Sequence, residues 1–255
     1  MTTQSTVEDI YPLTPMQQGM LFHTLYAPGS GIYLLQMSFR IGGLDPAAFK
    51  RALAQVIERH AVLRTSFAWK GLGQPVQVVH REAPFPVREE DWSGLPEAGR
   101  RQRLEDYLTL DAVEGFDLEL APPTRFLLAR ETAGSFRLVW TIHHLLVDGW
   151  STARIIGELF ACYGALQQGQ GALLLEPSRR YRDYIAWLAQ QDPRQAKGFW
   201  QQELAGFNEP TPLPGERRLA RVEGTLGQSH ALLSEVLSEE ATEALQASRR
   251  PISSP

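Results

Sequence analysis

The stretch SFRLVWTIHHLLVDGWS, Ser135 to Ser151, decides how the rest of the chain is read. Its first nine residues are mostly apolar, aromatic or β-branched, which predicts a strand ending at His143. Asp148-Gly149 predicts a sharp turn directly afterwards, and Ser151 is the expected cap of the next helix. From Ser151 to Leu166 the residues Ile155, Ile156, Leu159, Phe160 and Tyr163 recur at helical spacing. Two adjacent histidines thus stand where a strand gives way to a turn. Strand neighbours point to opposite faces, so one imidazole can face a cleft while the other faces the interior. A strand end holds a ring rigidly, which suits a general base.

Outward from this segment, strands and helices alternate. Thr14 and Pro15 open a helix that runs to Leu25, and Asp45 and Pro46 open another that runs to His60, with Phe49, Leu53, Val56 and Ile57 on one face. Ile32–Ile41, Leu63–Trp69, Pro75–His80 and Arg125–Arg130 read as strands, and Gly29–Gly31 as a turn. Pro84, Pro86 and Asp91–Gly94 read as loop, and Pro96–Asp111 as a polar helix with Leu104, Tyr107 and Leu108 inward. Gln167–Arg180 reads as a linker, with helices around Tyr181–Gln190 and Pro193–Leu204 beyond it. Then come a Pro/Gly/Arg-rich stretch from Asn208 to Gly227, a strand at Gln228–Leu233, and a helix from Ser238 to Ala247 with Glu at the capping-box position. The alternation predicts an α/β or α+β layered fold.

The bulk composition narrows the function classes. A net charge of −4 with no block of like charges argues against nucleic acid as a partner. No apolar run approaches the roughly 20 residues of a membrane span, and the N-terminus has no signal-peptide pattern. The single cysteine, Cys162, cannot form an internal disulfide; it reads as a small buried hydrophobe, and a cytoplasmic setting is expected. The residues alone leave three readings of the histidine pair: core groups, metal ligands, or part of a hydrolase. A metal is disfavoured because diverging rings lack a Cys or Glu cluster to complete a shell. A hydrolase is disfavoured because no G-x-S-x-G occurs.

His143-His144-xxx-Asp148-Gly149 resembles the HHxxxDG signature of condensation domains of nonribosomal peptide synthetases, which share the chloramphenicol acetyltransferase-like fold. Other stretches in the family's order make the resemblance specific. YPLTPMQQGMLFH (residues 11–23) resembles its first motif, RHAVLRTSF (residues 59–67) its second, and YRDYIAW (residues 181–187) with Phe199-Trp200 its fourth. The resemblance covers Val7 to Ala247 and implies a mixed sheet flanked by helices. It also implies an N-terminal lobe at residues 1–175 and a truncated beginning of a C-terminal lobe at 176–255.

By matching position, the resemblance assigns His144 as the active-site base or positioner of an acceptor amine, and Gly149 as the place where a backbone N–H meets the substrate carbonyl. His143, Asp148 and Arg64 are implied to support the site, Asp148 by pairing with Arg64. Trp150 and Ser151 are candidate substrate-binding residues, with packing the favoured role for Trp150. His23 and His60 are expected to pack or cap, and His80 and His230 to be surface strand residues. The implied reaction joins a carrier-bound acyl or peptidyl thioester to a carrier-bound aminoacyl group, with no metal and no directly bound cofactor. The substrates would ride on phosphopantetheine, and carrier protein domains and neighbouring synthetase domains would be the partners. The ending SRRPISSP (residues 248–255) breaks a helix expected to continue, as a gene fragment or shifted reading frame would. The isolated chain is expected to have little condensation activity and to expose apolar surface from Tyr181 onward. The alternatives are a carrier-docking module without turnover and an epimerisation-type relative; an acyltransferase using coenzyme A is a third.

Overall fold

The structure, a computed structural model, describes residues 6–85, 87–171, 173, 176, 178–208 and 236–248. The chain divides into two compact units, residues 1–194 and 195–255, and the lobe boundary expected at residue 175 falls inside the first.

In the first unit, β1 (Val7–Pro12) leads into α1 (Pro15–Tyr26), then β2 (Leu34–Gly42), α2 (Pro46–Arg59), a 3-10 turn (Ala61–Arg64), β3 (Thr65–Ala68) and β4 (Val76–His80). There follow β5 (Val87–Asp91), α3 (Glu97–Glu114), β6 (Thr124–Thr132), β7 (Ser135–His143), α4 (Gly149–Gln167) and α5 (Tyr181–Leu188). Two sheets form: an antiparallel one in the order β1-β4-β3, and a mixed one in the order β2-β7-β6-β5, where β5 runs parallel to β6 and the other pairs are antiparallel.

The period-2 alternation of the mixed sheet assigns its two faces. Phe126, Leu128, Leu138, Trp140 and Ile142 join Phe49, Leu53, Val56, Ile155 and Leu159 of α2 and α4 in the main core. Leu127, Ala129 and Val139 point the other way, against Trp92 and the Leu104, Tyr107 and Leu108 side of α3. Each large side chain buried here contributes about 1.5–3 kcal/mol by leaving water. Asp111 of α3 is buried against the sheet, where its carboxylate receives the Arg125 guanidinium and the Thr141 hydroxyl.

The helix starts follow the local chemistry. Thr14 accepts from the Gln17 amide while the Gln17 side chain accepts from Thr14 N–H, a complete capping box. Asp45 caps α2 by accepting from the amides of Ala47 and Ala48, with Pro46 at its first position. Four local expectations are corrected. Asp91, expected in a loop, instead ends an edge strand, Val87–Asp91, because β6 offers it a parallel hydrogen-bonding row that sequence alone does not reveal. Leu63 and Arg64 belong to a 3-10 turn, and the strand starts at Thr65. The cap of α4 is Asp148, and Ser151 donates to it. His80 is half-buried, its Nε2 2.8 Å from the Ser66 hydroxyl.

The second unit contains most of α6 (Pro193–Glu203) and α7 (Glu239–Ala247). Ser238 caps α7 through the amide of Ala241, which occupies the third helical position expected to carry Glu. The strand expected at Gln228–Leu233 and His230 lie outside the described residues. The expected apolar exposure is present: Trp187, Phe199, Trp200, Leu204 and Phe207 are each more than half exposed.

Candidate active site

β7 carries His143 to the rim of the main core, and the backbone turns at once. The His144 amide still donates to the Tyr33 carbonyl at 2.8 Å, and the Leu146 amide closes back on the His143 carbonyl at 3.0 Å. This turn separates the two imidazoles by environment. His143 is buried; its Nδ1 accepts from the Leu145 amide at 3.1 Å, so the proton of the neutral ring is on Nε2. Nε2 lies 3.2 Å from the Thr24 hydroxyl, whose own hydrogen goes to the Met20 carbonyl. Burial, with the neighbouring His144 adding repulsion, lowers the His143 pKa to about 4, so this ring is neutral near pH 7.

His144 has the opposite tautomer. Its Nδ1 lies 3.0 Å from the Val147 carbonyl, an acceptor only, so Nδ1 bears a hydrogen and, in the neutral ring, the lone pair is on Nε2. The ring is half-buried and lines an open groove of about 520 Å³. The groove is walled by the start of α1, the corner after α2, the 144–155 segment and the start of α5. His143 lines a different cavity, of about 430 Å³, between the end of α1 and the 112–119 segment.

Asp148 is exposed at the groove edge. One oxygen, Oδ1, accepts from the Ser151 amide at 2.8 Å and the Ser151 hydroxyl at 2.6 Å. These two donors hold its carboxyl below the usual range. The expected pairing of Asp148 with Arg64 is overturned. The Arg64 guanidinium is buried elsewhere, donating to Glu8 at 2.8 Å and to the carbonyls of Ile57, Glu58, His80 and Arg81. Its work is to fasten the corner after α2 to the ends of β1 and β4. Asp148 instead satisfies the Ser151 amide at the start of α4, the common task of an aspartate at that position.

Gly149 is the first residue of α4 and is not among the glycines in left-handed conformation, so the turn does not depend on its flexibility. A Cβ there would meet no atom within 4 Å, which leaves open space beside its backbone. Trp150 is 88% exposed, so the packing role expected for it is absent from this chain. Ser151 lines the groove beside His144.

Two groups were not singled out by sequence reasoning. Gln17 and Gln77 are buried side by side beneath the 144–147 turn. Glu158 of α4 gathers Arg59 Nε at 2.9 Å, His60 Nε2 at 2.6 Å and Arg154 Nε at 3.0 Å. Burial works to raise its pKa, but hydrogen bonds from His60, Arg154 and Arg59 carry it below the ordinary range. His60, expected to pack or cap, thus also makes a hydrogen-bonding contact to Glu158 in the groove wall. The capping-box spacing of Thr14 and Gln17 was a readable signal; the 60-residue separation of Gln17 from Gln77 was not. Among the described residues, no three His, Cys, Asp or Glu side chains come together as a metal site, and no helix is long and apolar enough to cross a membrane.

A mixed sheet covered by helices, with paired histidines at the end of its second strand, defines a lobe of chloramphenicol acetyltransferase-like fold. Solved structures agree on that fold. The starter condensation domain of rhizomide synthetase RzmA superposes with a TM-score of 0.68 at 20% identity, covering 78% of this chain and 50% of that one. The EpoB cyclization-docking bidomain from Sorangium cellulosum does so with a TM-score of 0.63 at 22% identity, covering 77% and 39%. The sequence model described as Condensation domain matches residues 7–253. A linear gramicidin synthase polypeptide of Brevibacillus parabrevis is 39% identical over 244 residues, 96% of this chain and 5% of that protein. Bacitracin synthase 1 of Bacillus licheniformis is 34% identical over 227 residues, 89% of this chain and 4% of that protein. The chain belongs to the condensation domain family of nonribosomal peptide synthetases. It spans about half the length of the solved condensation domain and a small part of the synthetases it matches.

Proposed function

We propose that this chain supplies the histidine-bearing half of a site that forms an amide bond between a carrier-bound acyl or peptidyl thioester and a carrier-bound aminoacyl group. The observation that carries the reading is the His144 tautomer: Nδ1–H is committed to Val147 O, so a neutral ring offers Nε2 as its basic atom in the groove. The amine nitrogen attacks the thioester carbonyl, the C–N bond forms and the C–S bond breaks. His144 Nε2 accepts the amine proton and passes it to the departing thiolate. Asp148 takes up the Ser151 amide in capping α4, which leaves the amides of Gly149 and Trp150 for the developing oxyanion. Ser151, and Trp150 with its exposed ring, are the substrate-side residues of this reading.

The substrates fit thioesters on phosphopantetheine arms, since an activated acyl group needs no metal or nucleotide and mainly requires orientation. Carrier protein domains and neighbouring synthetase domains are the partners in this reading. The groove suits a long phosphate-bearing arm: Arg179 and Arg180 line it beside Arg59 and Arg154, which are themselves paired with Glu158, in a chain whose net charge is −4. We place residues 1–175 as the N-terminal lobe and 176–255 as the beginning of a second lobe that has to be completed to close the groove. Two loaded carriers incubated with the 255-residue chain should give no dipeptidyl product. The same chain joined to a complete second lobe should give product, and His144→Ala should abolish it. Product formation unaffected by His144→Ala would overturn the assignment. Carrier binding by titration without turnover in the completed protein would point to a docking module instead.

A further inference from the structure

We propose that Gln17 and Gln77 are positioning residues that set the tautomer of His144 by holding the turn beneath it; this rests on the reading of His144 as the base. The Gln17 side chain uses every hydrogen-bonding capacity it has. Its Nε2 donates to the Leu145 carbonyl at 2.9 Å and to Gln77 Oε1 at 3.1 Å. Its Oε1 accepts from the Thr14 amide at 3.0 Å and from Gln77 Nε2 at 3.1 Å. Gln77 Nε2 donates also to the Pro12 carbonyl at 3.2 Å. Both side chains are almost fully buried, 6% and 1% exposed, so a lost partner leaves a buried polar group unsatisfied.

The network ties three separate pieces together. Gln17 is on the first turn of α1, where it also completes the capping box. Gln77 is on β4, the middle strand of the small sheet, opposite Tyr11 of β1 and Phe67 of β3. Leu145 is in the turn, one residue after His144 and two before the carbonyl that binds its Nδ1. Fixing the Leu145 carbonyl fixes the plane of the next peptide and with it the course of the chain to Val147. The histidine is thus steered through its own backbone by an amide pair that does not touch the substrate.

Gln17→Glu is the isosteric test. It places acceptors against Leu145 O and Gln77 Oε1 and removes both donors. We expect the turn to shift and the Val147 O–Nδ1 bond to be lost. In ¹⁵N-histidine spectra of the 255-residue chain, His144 is assigned by the signal missing from His144→Ala. In the unaltered chain the neutral ring should show hydrogen on Nδ1 and a pyridine-type Nε2. In Gln17→Glu that single-tautomer signature should be replaced by a mixed one, while the buried His143 keeps its Nε2–H pattern. In the completed two-lobe protein, kcat should fall about 10–100-fold, with KM within about twofold, as expected for a misplaced catalytic group. If Gln17→Glu does not fold, Gln77→Met decides by the same spectrum, since it removes two of the four bonds that orient Gln17. An unchanged His144 tautomer in a folded variant would overturn the proposal whether or not the protein turns over. A shifted tautomer with turnover that survives His144→Ala would instead sink the reading of His144 as the base and leave the positioning intact.

Discussion

Replacing Asp148 by asparagine and by alanine, alone and together with Arg64→Met, separates a helix cap from a buried ion pair. The structure assigns Asp148 two donors from Ser151, at 2.8 and 2.6 Å, and exposes its carboxylate. Losing a side-chain cap costs about 1 kcal/mol, and losing a negative charge at a helix N-terminus adds about 0.3–1 kcal/mol. Asp148→Ala should therefore cost about 1–2 kcal/mol, or about 2–8 °C in Tm for a unit of this size. Asp148→Asn keeps an acceptor for Ser151 and should cost less than about 1 kcal/mol. Arg64→Met strands Glu8 and a set of backbone carbonyls, so about 2–4 kcal/mol is expected. The two positions share no contact, so their effects should add to within about 0.5 kcal/mol. Urea unfolding followed by tryptophan fluorescence measures all of these. The pH sign follows from the depressed Asp148 pKa: the cap's charge contribution is complete above about pH 4 and disappears as pH falls through the folded value. A coupling energy of about 3 kcal/mol between Asp148 and Arg64, or equal losses for Asn and Ala, would refute this account.

His143 should make the fold acid-sensitive. Its folded pKa of about 4 lies below the unfolded value near 6.5, so the unfolded chain binds the extra proton first. Its contribution is complete above about pH 6.5 and declines as pH falls toward 4, by on the order of 3 kcal/mol; His143→Leu should flatten that slope in urea titrations at stepped pH. Glu158→Ala leaves Arg59 and His60 without their shared carboxylate in a mostly buried wall and should cost about 2–3 kcal/mol, with Glu158→Gln milder, as read by calorimetry. Asp111→Ala removes the carboxylate that holds Arg125 and Thr141 against α3 and should cost about 3–5 kcal/mol, with faster amide exchange throughout α3.

The parts of the fold legible in the chain are those set by neighbours in sequence. Thr14-Pro15 and Asp45-Pro46 announce their helices because a cap and a first-position proline act within one turn. The strand ending at His143 shows in its apolar run, and the turn after it in Asp148-Gly149. Val87–Asp91 escapes such a reading because its charged composition resembles a loop, and only the free edge of β6 makes it a strand. The histidine pair is legible for the same local reason: adjacent residues leaving a strand cannot share one environment.

What the sequence by itself determined was the run of helices and most of the strands, the family, and the identity of two imidazoles at one turn, since periodicity, capping and motif spacing are properties of contiguous residues. The tertiary structure alone decided which partner each polar group found. Asp148 took the amide of its own helix, Arg64 went to carbonyls from separate segments, and Gln17 met Gln77 across sixty residues. The physical reason is that a buried hydrogen-bonding group must be satisfied by whatever the packed chain brings within about 3 Å, and that proximity is created only when the sheets and helices close.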